Sequence, residues 1–86
     1  MPRISQFFGI IIAMYFDDHS PPHFHARYGE HEAVFRIDTL EVLFGSLPRR
    51  ARALVVEWAS LHRSELESDW GRARRGEPLV PIAPLE

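Results

Sequence analysis

The stretch DDHSPPHFHARYGEHEA, residues 17–33, concentrates the side chains that could carry out chemistry. It contains four of the chain's five histidines together with four acidic residues. Histidine changes its charge near neutral pH and is also a common metal ligand. This composition therefore indicates a proton-transfer site, a metal site or a plain polar surface. To compare these three possibilities, we first ask where the predicted strands place the side chains.

Two short strands, HFHARY and HEAVFRI, are predicted on either side of Gly29-Glu30. Glycine at the first position of a two-residue loop favours a type II′ hairpin. Because side chains alternate along a strand, this register sorts them onto two faces. We expect His19 and the two aspartates, Asp17 and Asp18, in the loop at the end of the hairpin. The predicted core face carries Phe24, Ala26, Tyr28, Ala33, Phe35 and Ile37, and the predicted outer face carries His23, His25, Arg27, Glu32 and Arg36.

Three hypotheses explain the outer face. The first is a solvated surface with an Arg27–Glu32 cross-strand pair, which would contribute about 0.2–1 kcal/mol. The second is a divalent metal site, because two histidines at a spacing of two residues project in the same direction. Its ligands would be His23, His25 and Asp18, with His19, Asp17 or Glu32 as further candidates for zinc, iron or manganese.

The third hypothesis is metal-independent acid–base chemistry on a phosphodiester, and RNA cleavage is the reaction that it favours. His23 and His25 would exchange protons as base and acid. Arg27 or Arg36 would stabilise the charge that develops on the phosphate, and Arg27 is the one expected to bind it. Further binding contacts are expected from His19, Glu32 and Arg36. No nucleotide-binding glycine pattern or nucleophile elbow is present in the sequence.

Size and composition indicate one domain, residues 1–86, with enough apolar residues (45%) for a compact core. The absence of cysteine excludes disulfides and thiolate metal sites. The apolar run at residues 7–16 is too short to span a membrane, and the N-terminus lacks the features of a signal peptide. We therefore expect a soluble cytoplasmic protein. A domain this small would also benefit from association with a second protein or a second copy.

All ten basic residues are arginine, and the net charge is −2. This balance argues against general nucleic-acid binding, although a local arginine patch could contact RNA. Arg49, Arg50 and Arg52 crowd a predicted helix start, where positive charge opposes the helix dipole. A carboxylate or phosphate from a partner is therefore expected at Arg49 and Arg50.

The remaining segments predict an α+β fold. FFGIIIAMYF, residues 7–16, has the composition of a central strand covered on both faces, and LEVLFG, residues 40–45, of a short fourth strand. A three- to four-stranded antiparallel meander over about 7–45 is thus expected. A helical period follows over about 47–75, and a single helix of that length would exceed the domain. A capping box at Ser64–Glu67 predicts a break near residues 62–64, giving two helices packed on one face and an extended tail over 77–86.

The chain resembles a family of small bacterial proteins, domain of unknown function 4160. The resemblance lies in MPRISQFFGI, MYFDDHSPPHFHARYGEHEA, LPRRARALVVEWASLHRSEL and WGRARRGEPLVPIAPLE, and residues 18–30 are its most specific part. It implies a partner, a second small domain of unknown function (2442), in a two-gene arrangement similar to toxin–antitoxin modules. We accordingly expect a component of such a module acting through the His/Arg face. The alternative is a non-catalytic binding or regulatory module that holds a divalent metal at His23 and His25.

Overall fold

A computed structural model of the chain describes residues 2–16 and 19–86. Its architecture is an antiparallel sheet in the order β1-β2-β3-β4-β5, followed by two helices. The predicted α+β class is therefore confirmed, but the sheet has five strands where three or four were expected. The elements are β1 (Arg3–Phe7), β2 (Ile10–Ala13), β3 (His23–Tyr28), β4 (His31–Arg36), β5 (Val42–Ser46), α1 (Arg49–Leu61) and α2 (Arg63–Arg74). Within the described residues, no helix has the length and apolarity that crossing a membrane requires.

The additional strand arises because a turn at Phe8-Gly9 interrupts the predicted strand 7–16, so that β1 and β2 form a hairpin. Phe8 and Gly9 both have positive φ, at 49° and 78°, and Phe7 lies opposite Ile10. Two such residues between paired strands are typical of a type I′ turn. An aromatic residue rarely takes this conformation, so the sequence around Phe8 does not signal a turn. The expected cover on both faces is also wrong, since Ile11 is only half-buried.

The β3–β4 hairpin forms in the predicted register. His23 lies opposite Arg36, His25 opposite Val34 and Arg27 opposite Glu32. Gly29 has a φ of 59°, while Glu30 is not among the residues with positive φ, as a type II′ turn requires. Five of the six expected core-face residues are buried. The exception is Tyr28, which is 38% exposed at the turn end of the strand.

Strand β5 contains a bulge that changes the face of its side chains. Val42 lies opposite Phe35 and packs against the core, whereas Phe44 lies opposite Val34 on the other face of the sheet. Residues two apart share a face in a regular strand. Leu43 is the extra residue, and its insertion turns Phe44 away from the core.

The core lies between the sheet and α1. The Trp58 ring packs 5.3 Å from Phe7 and 5.9 Å from Phe24, measured between centroids, and is fully buried. The helical segment breaks at His62, inside the predicted interval. The residue at the start of α2 is His62 rather than Ser64, and the His62 ring contacts Glu65, so the predicted Ser64–Glu67 capping box is wrong.

The C-terminal tail, residues 77–86, has no regular secondary structure and is fixed to the domain at three points. The amide of Ile82 donates to the carbonyl of Ile4 in β1 over 2.8 Å. The Trp58 Nε1 donates to the carbonyl of Ala83 over 2.8 Å, and the amide of Val80 donates to Asp69 over 2.9 Å. The tail thereby covers part of the β1 edge of the sheet.

Candidate functional site

The face of the sheet opposite α1, here called the open face, carries His25 at its centre. The His25 Nδ1 lies 3.3 Å from Glu32 Oε2 on the neighbouring strand. A carboxylate can only accept a hydrogen bond, so in this contact the Nδ1 N–H of His25 donates to Glu32. The Tyr15 ring meets His25 edge-on at 4.6 Å between centroids. Glu32 and Tyr15 thus both restrict the orientation of this imidazole.

The second predicted histidine, His23, shares this face, and its ring centroid lies 5.4 Å from that of His25. Its surroundings differ from the predicted solvated surface, because Trp70 of α2 covers the ring at 5.0 Å and leaves the residue only 9% exposed. The His23 Nδ1 donates to the carbonyl of Pro21 over 2.8 Å. The two imidazoles are therefore together as expected, but His25 is the more accessible one.

The two arginines proposed for phosphate binding differ in their partners. Arg36 makes a two-pronged ion pair with Asp38, with the second contact at 3.1 Å. The hydrogen bond from Arg36 holds the pKa of Asp38 below its usual value. Arg27 lies opposite Glu32 and is exposed, yet the described residues contain no Arg27–Glu32 ion pair. Glu32 contacts His25 instead, so the expected Arg27–Glu32 pair is wrong. Arg27 is therefore a better candidate than Arg36 for binding an anion.

The metal hypothesis rests partly on residues outside the described ranges, since Asp17 and Asp18 belong to that part of the chain. His19 is exposed in the loop beside them. Across residues 2–16 and 19–86, no group of three or more His, Cys, Asp or Glu side chains is arranged to hold a metal ion. A site that includes Asp18 stays a prediction.

The bulge of β5 adds an apolar component that the sequence did not predict. Phe44 is 76% exposed and lies beside His25 on the open face. A shallow depression of about 300 Å³ separates them, lined by His25, Glu32, Val34, Phe44 and Gly45. In the sequence, Phe44 is recognisable only as part of the apolar run VLF. A regular strand over this run does not predict that the Phe44 side chain lies outside the core.

The β5 edge differs from the β1 edge of the same sheet. The tail makes a backbone hydrogen bond to β1, but no described strand or tail segment pairs with the outer side of β5. Strand β5, VLFGS, has neither a charged residue nor a proline. Natural proteins commonly use such residues to prevent an exposed edge from pairing with another chain. The β5 edge is therefore chemically suited to strand addition.

The arginines at the start of α1 are not part of the open face. Arg49 and Arg50 are exposed in the first turn of a helix that packs on the core face. No acidic residue lies in that turn, and neither arginine has an ion pair with any residue in the described ranges. The structure thus places His23, His25 and Glu32 on one surface and these arginines on another.

Comparison with known proteins gives a family but no characterised relative. The model of a family described as a domain of unknown function (DUF4160) matches residues 9–71, which is more than half of the chain. A search of curated proteins and a search of solved structures found no match. The matched segment includes β2 to β5, α1 and most of α2, and therefore all of the open face except its β1 border.

Proposed function

Given that the chain belongs to this DUF4160 family, we propose that it is a protein-binding module that accepts an extended segment of a partner along β5. The partner is the second small protein of a two-gene module similar to toxin–antitoxin systems. The observation that carries this proposal is the uncharged, proline-free edge of β5 with Phe44 exposed next to it.

Strand addition would satisfy the backbone groups at this edge and bury Phe44 at the same time. Main-chain hydrogen bonds supply affinity in such complexes, and side-chain pockets beside the edge supply specificity. Full burial of a Phe side chain contributes about 1.5–3 kcal/mol. The depression between Phe44 and His25 is the pocket that would accept a side chain of the partner.

A charge on Phe44 tests the proposal. Phe44→Arg is compared with Leu61→Arg, a matched change at another exposed apolar residue at the end of α1. The product of the neighbouring gene is purified, and its Kd is measured by isothermal titration calorimetry. We expect Phe44→Arg to weaken binding by about tenfold or more, because it places a charge in a desolvated interface, and Leu61→Arg to bind like the wild type. Equal affinity of Phe44→Arg and wild type would refute the proposal.

A second copy of the chain could occupy the same edge, and the same variants distinguish this outcome. Antiparallel pairing of β5 with its own copy would bring together no like charges, since VLFGS is neutral. Sedimentation of the protein without its partner would then give a dimer for wild type and a monomer for Phe44→Arg. If the wild type is a dimer and does not bind the partner protein, self-association replaces the two-gene proposal.

RNA cleavage is the second candidate function, and the contact between His25 and Glu32 favours it. In this proposal His25 removes the proton from a 2′-hydroxyl, which attacks phosphorus, while Arg27 binds the phosphate. His23 gives a proton to the departing 5′ oxygen. His25→Ala and Arg27→Gln should each abolish cleavage of a single-stranded RNA by the purified protein. Cleavage that persists in both variants would exclude this chemistry.

A further inference from the structure

We propose that a groove on the side of the molecule away from His25 binds an acidic peptide segment of a protein, with one aliphatic or aromatic side chain of that peptide inside the groove. The groove lies between the β1–β2 turn, the end of β3 and the first turn of α1. This site is separate from the β5 edge, and it requires neither the strand-addition partner nor RNA cleavage.

The groove has a volume of about 240 Å³ and mainly apolar walls. Phe8 forms one wall and is 59% exposed, and Tyr28 is partly exposed beside it. A side chain of the size of Leu or Phe fits a concave site of this kind better than a flat stack of bases does. The lining consists chiefly of Phe8, Ile10, Tyr28, Pro48 and Leu54, with Arg50 at the rim.

Phe8 occupies its position at a cost to the fold. Its φ of 49° is a conformation in which Asn or Gly is preferred at a type I′ turn. Because the Phe8 ring is largely exposed, its burial contributes little to stability. The turn lies beside Tyr28, since a Cβ built on Gly9 would be in van der Waals contact with the Tyr28 ring at 3.4 Å. The turn and Tyr28 therefore form one wall of the groove, and its most exposed part is the Phe8 ring.

Charge identifies the occupant as acidic. Arg49, Arg50 and Arg52 are exposed around the start of α1, and none has an ion pair with another residue in the described parts of the chain. Arg50 lines the groove itself, whereas Arg49 and Arg52 line the neighbouring depression on the same helix. The three guanidinium groups repel one another and oppose the dipole of α1. Carboxylates on either side of the buried anchor would relieve both effects. A peptide is favoured over nucleic acid because the net charge of the chain is −2, which opposes a long polyanion.

Selection from a library of random dodecapeptides displayed on phage tests the proposal on the intact chain. The expected result is enrichment of peptides that have one large apolar residue flanked by Asp or Glu. Synthetic copies should bind Phe8→Asn and the Arg49→Gln/Arg50→Gln double variant about tenfold less tightly than wild type, by fluorescence anisotropy. Failure to enrich any peptide, enrichment of neutral or basic peptides, or unchanged binding to both variants would overturn the proposal.

Three controls make the outcome specific. Phe8→Asn replaces a strained residue with a preferred one, so its melting temperature should not fall, and lost binding would not reflect misfolding. Phe44→Arg should keep the peptide affinity of wild type, which separates this groove from the β5 edge. Labelled decauridine should bind at least tenfold more weakly than the selected peptide at 150 mM salt, and tighter binding of the RNA would overturn the proposal.

Discussion

Gly45 provides a quantitative test of how β5 is held against the sheet. Its φ is 73°, and a Cβ built on it would lie 3.1 Å from the carbonyl carbon of Glu32 and 3.3 Å from the Cα of Ala33. The built Cβ would also overlap the carbonyl oxygen of Glu32. These atoms belong to the backbone of β4 and cannot rotate away. Gly45→Ala must therefore displace β5 from β4.

The expected cost has two parts. A non-glycine residue in the left-handed region costs about 1–2 kcal/mol, and overpacking against fixed atoms adds about 1–3 kcal/mol. The free energy of unfolding should then fall by about 2–5 kcal/mol. For a chain of 86 residues, the whole free energy of unfolding is on the order of 4–13 kcal/mol. Gly45→Ala therefore removes a large part of it and could leave the β5 edge disordered at 37 °C.

Gly29 supplies the matched control, because its φ is 59° but no atom lies within 4 Å of its built Cβ. Gly29→Ala has only the conformational cost, so it should lose about 1–2 kcal/mol. The assay is urea unfolding of wild type and both variants, monitored by Trp fluorescence, at constant pH and salt. An equal loss for Gly45→Ala and Gly29→Ala would show that β5 does not approach β4 as closely as the structure indicates.

Three further predictions follow from the tail, the surface ion pairs and the β1–β2 turn. The buried Asp69 accepts hydrogen bonds from both Arg72 and Val80. Asp69→Ala should therefore lower the free energy of unfolding by about 2–4 kcal/mol and speed hydrogen exchange at the Val80 amide. An unchanged exchange rate would contradict this. Arg36 lowers the pKa of Asp38 in the folded protein below its usual 3.8, so this pair stabilises the fold above about pH 4 and is lost as the pH falls further. Asp38→Asn should therefore flatten the acid end of the melting-temperature profile, and a parallel profile would argue against the pair. Phe8→Asn should raise the free energy of unfolding by about 1 kcal/mol in urea titrations, and a decrease would mean that the Phe8 ring stabilises the fold.

The β3–β4 hairpin could be predicted residue by residue because its determinants are local. Gly29 fixes the turn, and alternation then assigns every side chain to a face. The helix break could also be predicted, since the limit on helix length is a property of a short segment. The predicted proximity of His23 and His25 followed from the same alternation.

The errors occurred where tertiary contacts overrule local pattern. Phe8 takes a conformation that its residue type disfavours. A turn therefore separates β1 from β2 where the sequence predicted one strand. The bulge at Leu43 has no signature of its own, so the exposure of Phe44 could not be predicted. Trp70 comes from a helix almost 50 residues away in sequence to cover His23, and a strand pattern contains no information about that contact. Glu32 could reach either His25 or Arg27 from its register position, and only the folded geometry shows that it faces His25.

The location of Phe44 connects the two candidate functions of the open face. Phe44, His25 and Glu32 line the same depression, so a partner strand that buries Phe44 along β5 must also cover His25. Partner binding and RNA access at this face are then mutually exclusive. If the chain cleaves RNA, its partner inhibits it by occlusion, and Phe44→Arg should restore cleavage in the presence of the partner while His25→Ala abolishes it regardless. If the chain does not cleave RNA, we propose that the His25–Glu32 contact contributes to the specificity of the β5 pocket, and Glu32→Gln should then weaken partner binding.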